Sequence, residues 1–124
     1  MKLNFEDERP IFLQIAESIE QSVLIGAYPE EEQIPSTTEI SVTYKINPAT
    51  VLKGMSRLVE EGILYKRRGV GMFVARGAVQ RVKEKRKGAF FEQYVAPLTH
   101  EAKRLSLTLE ETTQMIGRSY EEND

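Results

Sequence analysis

The sequence contains no cysteine and a single histidine, His100. Without cysteine there is no disulfide and no thiolate chemistry, a composition that suits a reducing compartment. One histidine with no cysteine or second histidine to join it cannot build a credible metal site, so neither a metal nor another cofactor is expected. No nucleophile triad and no phosphate-cradling GxxxxGK run are present, and acidic residues fall in solvated-looking runs such as Glu30-Glu31-Glu32. Catalysis is therefore not expected. No apolar run approaches the ~20 residues that cross a bilayer. The segment from Met1 to Pro10 has no apolar signal core, and the simplest localisation is cytoplasmic, away from membrane.

What the chain does have is a segregation of charge hidden in its formal net charge of −2. Residues 45–87 carry twelve Lys/Arg against three Glu, whereas residues 1–44 carry two basic side chains against nine acidic ones. Residues 88–124 carry three against seven. A basic block this concentrated offers a polyanion a surface to grip.

Local signals divide the chain. Pro10 opens a helical pattern in which Ile11, Phe12, Ile15, Ala16, Ile19 and Val23 recur at three- and four-residue steps, until Gly26 stops it. Ser36-Thr37-Thr38-Glu39 has the form of a capping box and predicts a short helix to about Tyr44. Asn47 and Pro48 then predict a third helix over 47–61, with Val51, Met55, Leu58 and Val59 as its buried face. Two short helices joined at Lys45-Ile46-Asn47 make a helix-turn-helix. Beyond Gly62, Ile63–Lys66 and Met72–Ala75 predict two strands, with Arg67-Arg68-Gly69-Val70-Gly71 as the turn between them. The expected architecture is α+β and mostly α. A winged helix-turn-helix domain, residues 1–76, is followed by a two-helix tail, residues 77–124. Gly88 and Pro97 are expected to bend or interrupt the first tail helix, and Thr108-Leu109-Glu110-Glu111 to cap the second.

Two helices of this size bury little surface alone. They either fold back on the first domain or pair with a second copy, and the pairing reading makes Phe90, Phe91, Tyr94, Leu98, Leu105, Leu109 and Ile116 its contact residues. For the first domain the spacing suggests a reader of double-stranded DNA. Thr50, Lys53 and Arg57 lie at i, i+3 and i+7 away from the core stripe, with Asn47 and Ala49 at the helix tip. Lys53 suits guanine O6 or N7, and Arg57 suits phosphate. Arg67 and Arg68 can grip phosphate or enter a minor groove, while Gly69 and Gly71 let the backbone approach closely. Ser36 and Thr37 can donate to a phosphate or serve only as a cap. The run Lys83-Glu84-Lys85-Arg86-Lys87 reads as a solvated helix face or as a non-specific DNA contact. The competing reading of the whole is a winged-helix protein–protein module without specific DNA binding.

Several segments, in this order and spacing, resemble the GntR family of bacterial transcription regulators, most closely its short YtrA-like branch. They are Pro10-Ile11-Phe12-Leu13-Gln14-Ile15 with Gly26 after it, Ile34-Pro35-Ser36, Ile46-Asn47-Pro48-Ala49-Thr50-Val51, Leu58-Val59-Glu60-Glu61-Gly62-Ile63-Leu64 and Arg67-Arg68-Gly69-Val70-Gly71-Met72-Phe73-Val74. The resemblance spans Arg9 to Ala75. Past Gly77 it is one of length and helical plan. It implies a homodimeric winged-helix regulator, often a repressor, that binds a roughly palindromic operator and commonly sits beside an ABC transporter operon. It sets Ser36, Thr50, Lys53, Arg67, Arg68 and Gly69 at or beside DNA contacts. A two-helix tail leaves little volume for a small-molecule effector, and the sequence identifies none. Thr38, Pro48 and Leu52 stand where the broader family has arginine, although proline at position 48 is normal for the YtrA-like branch. Gly54 stands where alanine is usual, at a helix-propensity cost of roughly 1 kcal/mol.

Overall fold

Helix α1, Ile11–Leu24, begins one residue later than its proline suggested. Pro10 is the N-cap, and its carbonyl accepts from the amides of Leu13 and Gln14 at 3.1 and 3.3 Å. The i, i+4, i+8 stripe Ile15, Ile19 and Val23 is fully buried. The computed structural model describes residues 1–122, and it divides into two compact units, Met1–Lys85 and a second from Arg86 onward.

Helix α2, Thr37–Tyr44, has the expected capping box. Ser36 Oγ accepts from the Glu39 amide, and a Glu39 carboxylate oxygen accepts from the Ser36 amide, both at 3.0 Å. Lys45 turns the chain in the left-handed region at φ 56°, and Ser41 Oγ donates to the Ile46 carbonyl at 2.6 Å to fix the turn. Helix α3, Pro48–Glu60, follows with Asn47 as N-cap. Its buried face is Val51, Gly54, Met55 and Leu58. Val59, expected inside, is 36 % exposed, and Gly54 takes the inward position instead. The missing side chain there has a packing reason. A Cβ on Gly54 would stand 2.8 Å from the Phe12 carbonyl oxygen, so α1 and α3 cross closely at this point.

Strands β1, Leu64–Arg67, and β2, Gly71–Val74, pair antiparallel from Leu64↔Val74 to Arg67↔Gly71. Each is shifted one residue toward the turn from its expected place, because Arg67 and Gly71 join the ladder. The turn closes when the Val70 amide donates to the Arg67 carbonyl at 2.9 Å. The loop before α2 runs alongside β2. Amides of Glu31 and Ile34 donate to the carbonyls of Val74 and Met72, and the Val74 amide donates to the Glu32 carbonyl.

Helix α4, Ala78–Phe90, supplies two more core side chains, Ala78 and Val82, both fully buried. The first unit therefore runs on to Lys85, past the residue-76 limit expected from the sequence. Gly88 does not interrupt α4. The irregularity comes later, as a π-helical turn over Phe91–Val95 that leads into α5, Ala96–Arg104. The Ala96 amide reaches back to the Phe91 carbonyl across this wider turn. Pro97 explains it, since the proline has no amide hydrogen and its ring would press on the carbonyl four residues earlier. Thr108 and Glu111 form the expected capping box, and α6, Leu109–Glu122, follows. Within this second unit, among the described residues, Ala102 is the buried hydrophobic residue.

Candidate nucleic-acid interface

The helix-turn-helix sets α3 with one face inward and the other outward. Ala49, Lys53 and Arg57 are exposed and Thr50 is half-buried, so the outward set expected from spacing lies at the surface. Asn47 Oδ1 accepts from the Ala49 amide at 2.8 Å, which commits that oxygen to capping. The exposed Lys53 side chain has one contact on α1. Its ammonium rests 4.2 Å above the centroid of the Phe12 ring on α1. A cation over an aromatic face is held by the ring quadrupole.

At the start of α2 the two candidate hydroxyls differ. Ser36 is occupied as the cap described above. Thr37 Oγ1 donates to Met55 Sδ at 3.4 Å and is thereby turned toward the domain interior.

The hairpin forms a basic projection. Arg67, Arg68 and Gly69 are exposed, with Gly69 at φ 76°. The Arg67 guanidinium lies 4.9 Å from the centroid of the Phe73 ring, which itself stacks on Tyr65 at 5.6 Å. This row of rings stiffens the wing and fixes the direction of Arg67. Gln33 braces the tip from the adjoining loop. Its side-chain amide donates to the Val70 carbonyl at 3.0 Å. A Cβ at position 71 would lie 2.5 Å from that amide nitrogen, so Gly71, at φ 147°, is what lets Gln33 reach the turn.

Two further devices anchor α4. Glu30 accepts from the amides of Gly77 and Val79 at 2.8 and 3.0 Å, and these bonds hold its carboxyl below the ordinary carboxylate range. Lys85 bonds the buried carboxylate of Glu20 and also Glu61, at 2.8 Å to the latter. Burial opposes the charge of Lys85, but these two carboxylates outweigh it and raise its pKa. Lys85 is thus a structural tie within the first unit, and not part of a freely presented basic run. Gln33, Glu30 and the partners of Lys85 carried no sequence signal, since each acts through a contact distant along the chain.

In the second unit Phe90, Phe91, Tyr94, Leu98, Leu105, Leu109 and Ile116 are all exposed. The rings of Phe90 and Tyr94 pack with their centroids 5.4 Å apart. Leu98, Ala102, Leu105, Met115, Ile116 and Tyr120 line an open groove of about 600 Å³. His100 is exposed. No helix among the described residues is long and apolar enough to cross a membrane.

A helix-turn-helix followed by a basic, glycine-turned hairpin defines the class: a winged-helix DNA-binding module of a transcription regulator. The model of the gntR family of bacterial regulatory proteins matches residues 12–74. Over 118 residues the chain is 32% identical to the HTH-type transcriptional regulator YhcF of Bacillus subtilis, covering 94% of each. It is also similar to the crystal structure of a GntR-family transcriptional regulator from Bacteroides thetaiotaomicron, at 32% identity and a TM-score of 0.73, covering 92% of this chain and 99% of that one. The DNA-binding domain of AraR, solved in complex with operator ORE1, is similar at 30% identity and a TM-score of 0.54, over 60% of this chain and 90% of that one. The chain belongs to the GntR family. It is a transcription regulator and not an enzyme.

Proposed function

We propose that this protein is a homodimeric, operator-binding repressor of the YtrA-like branch. In this reading α3 enters the major groove, with Ala49, Thr50 and Lys53 toward the bases and Arg57 toward phosphate. The wing, Arg67–Gly71, lies on the backbone and the adjacent minor groove. Ser36 meets a phosphate through its remaining hydroxyl hydrogen, and Thr37 contributes as part of the helix start, not through its hydroxyl. The observation that carries the reading is that one small domain presents both an exposed α3 face and a braced basic wing, in a chain whose positive charge is concentrated between residues 45 and 87. A solvated surface helix does not need a second, braced, cationic element beside it.

The tail forms the dimer. A unit that exposes Phe90, Phe91, Tyr94, Leu98, Leu105, Leu109 and Ile116 while burying almost nothing of its own has an apolar surface that a second copy covers. Dimers of helix-turn-helix proteins bind two half-sites about one helical turn apart, roughly 34–36 Å, so a palindromic operator follows. The protein acts in the cytoplasm, and its resemblance to YtrA-like regulators supports an ABC transporter operon as a target. Repression is favoured because NagR of Bacillus subtilis, to which the chain is similar, is a transcriptional repressor.

Hydroxyl-radical footprinting on the DNA upstream of the protein's own gene, with sedimentation of the free protein, tests the reading. Two protected patches one helical turn apart and a dimer mass are expected. Protection no different from that on scrambled DNA, with a monomeric protein, would refute it and favour a protein–protein module.

A further inference from the structure

We infer that Leu52, together with Ala49, determines operator specificity by reading thymine through its 5-methyl group. The inference rests on α3 being the reading helix. Ala49, Leu52, Lys53 and Ser56 are exposed residues on the front of α3, and Val51, Gly54, Met55 and Leu58 face inward. Ala49 and Leu52 stand at i and i+3, so their side chains are neighbours on the surface. Leu52 is 45 % exposed. The nearest long polar side chain on this face, Lys53, has its ammonium drawn onto the Phe12 ring. The side-chain carbonyl oxygen of Asn47 is held as the cap, and Pro48 has no amide hydrogen. Ala49 and Leu52 therefore form a small apolar patch on the front of the helix, beside the hydroxyl of Ser56 and the side chain of Lys53.

The major groove contains one natural partner for such a surface. Thymine alone carries a methyl group there, whereas guanine, cytosine and adenine present hydrogen-bonding edges. Leucine against a thymine methyl removes water from two apolar groups. Leucine against guanine O6 or cytosine N4 strips water from a polar group and offers nothing in return. The result is a preference for thymine made without a hydrogen bond, with affinity supplied by Arg57 and the wing arginines on phosphate.

The test uses the full chain. In vitro selection from random duplexes gives a preferred site, whose thymines are then replaced singly by deoxyuridine. This change deletes the methyl group and keeps every hydrogen-bonding group. At one or two thymines of each half-site, wild-type binding should weaken about fourfold for each methyl group removed. Leu52→Ala, a change at an exposed position, should weaken binding to the thymine site and show no further loss at the deoxyuridine position that Leu52 contacts, so the two changes are not additive there. Leu52→Arg should shift the selected base at that position from thymine to guanine. Full deoxyuridine sensitivity in Leu52→Ala, or none at any thymine in the wild type, would overturn the assignment while leaving the regulator reading intact. Failure of selection to enrich any sequence would overturn both.

Discussion

Gly54→Ala should destabilise the protein even though alanine is the better helix former. In an open helix the change gains about 1 kcal/mol of propensity. Here the new Cβ would meet the Phe12 carbonyl oxygen at 2.8 Å, and Ile15 Cγ2 and Cβ at 3.2 and 3.3 Å. Ordinary contacts between such atoms begin near 3.5 Å, so α1 must retreat by roughly half an ångström. The carbonyl belongs to the helix backbone and cannot swing aside. Ile15 and Ile19 on the same helix are fully buried, so the retreat also loosens their packing. Overpacking of this kind costs about 1–3 kcal/mol. It outweighs the propensity gain and leaves a net loss on the order of 1 kcal/mol, which is about 4–8 °C in Tm for a domain of this size. Gly88→Ala is the matched control. Gly88 lies inside α4, and a Cβ there would meet nothing within 4 Å, so the same substitution should raise stability or helix content. Urea and thermal melts followed by far-UV circular dichroism measure both. A Gly54→Ala midpoint equal to or above wild type would refute the close crossing of α1 and α3.

Other expectations follow from the same geometry. Gln33→Ala deletes the bond to the Val70 carbonyl, and removing this wing brace should cost about 0.5–1.5 kcal/mol in DNA affinity with little change in melting temperature. Equal affinity in titrations of the two proteins would show that the wing needs no brace. Arg68→Ala should weaken binding to all sequences and reduce the slope of log K against log salt by about one. A change in base preference instead would mean that Arg68 contacts bases. Glu30 has a folded pKa below its ordinary value of 4.5, because the Gly77 and Val79 amides bond its ionised form. Its contribution to stability is present above that value and is lost as pH falls through the depressed folded pKa. Glu30→Gln should therefore lower stability at neutral pH and flatten its decline on the acid side. Parallel curves for the two proteins would contradict that role.

The elements governed by neighbours along the chain were legible in the sequence. Ser36 with Glu39, Asn47 with Pro48, and Thr108 with Glu111 announce helix starts because capping is a contact over two or three residues. Gly62 and the Arg67–Gly71 turn announce the hairpin for the same reason. Misreadings arose where a distant partner decides. Val59 and Gly54 exchange burial because α1 approaches α3 closely, and only the tertiary packing specifies that approach. The contacts of Lys53 with Phe12 and of Lys85 with Glu20 and Glu61 went unread for the same reason, since no local spacing reveals them. Pro97 disturbs its helix as expected, but over Phe91–Val95, because a proline ring presses on the turn before it. Gly88, where a side chain would meet nothing within 4 Å, imposes no break of its own.

Sequence-specific recognition of operator DNA can be measured by fluorescence anisotropy on the DNA upstream of the protein's own gene. Scrambled DNA of equal length serves as the comparison, across a salt series. Tight binding to the upstream DNA that stays well above the scrambled control as salt rises is expected. Equal and steeply salt-sensitive binding to both would contradict it, because only the phosphate contribution would then be present.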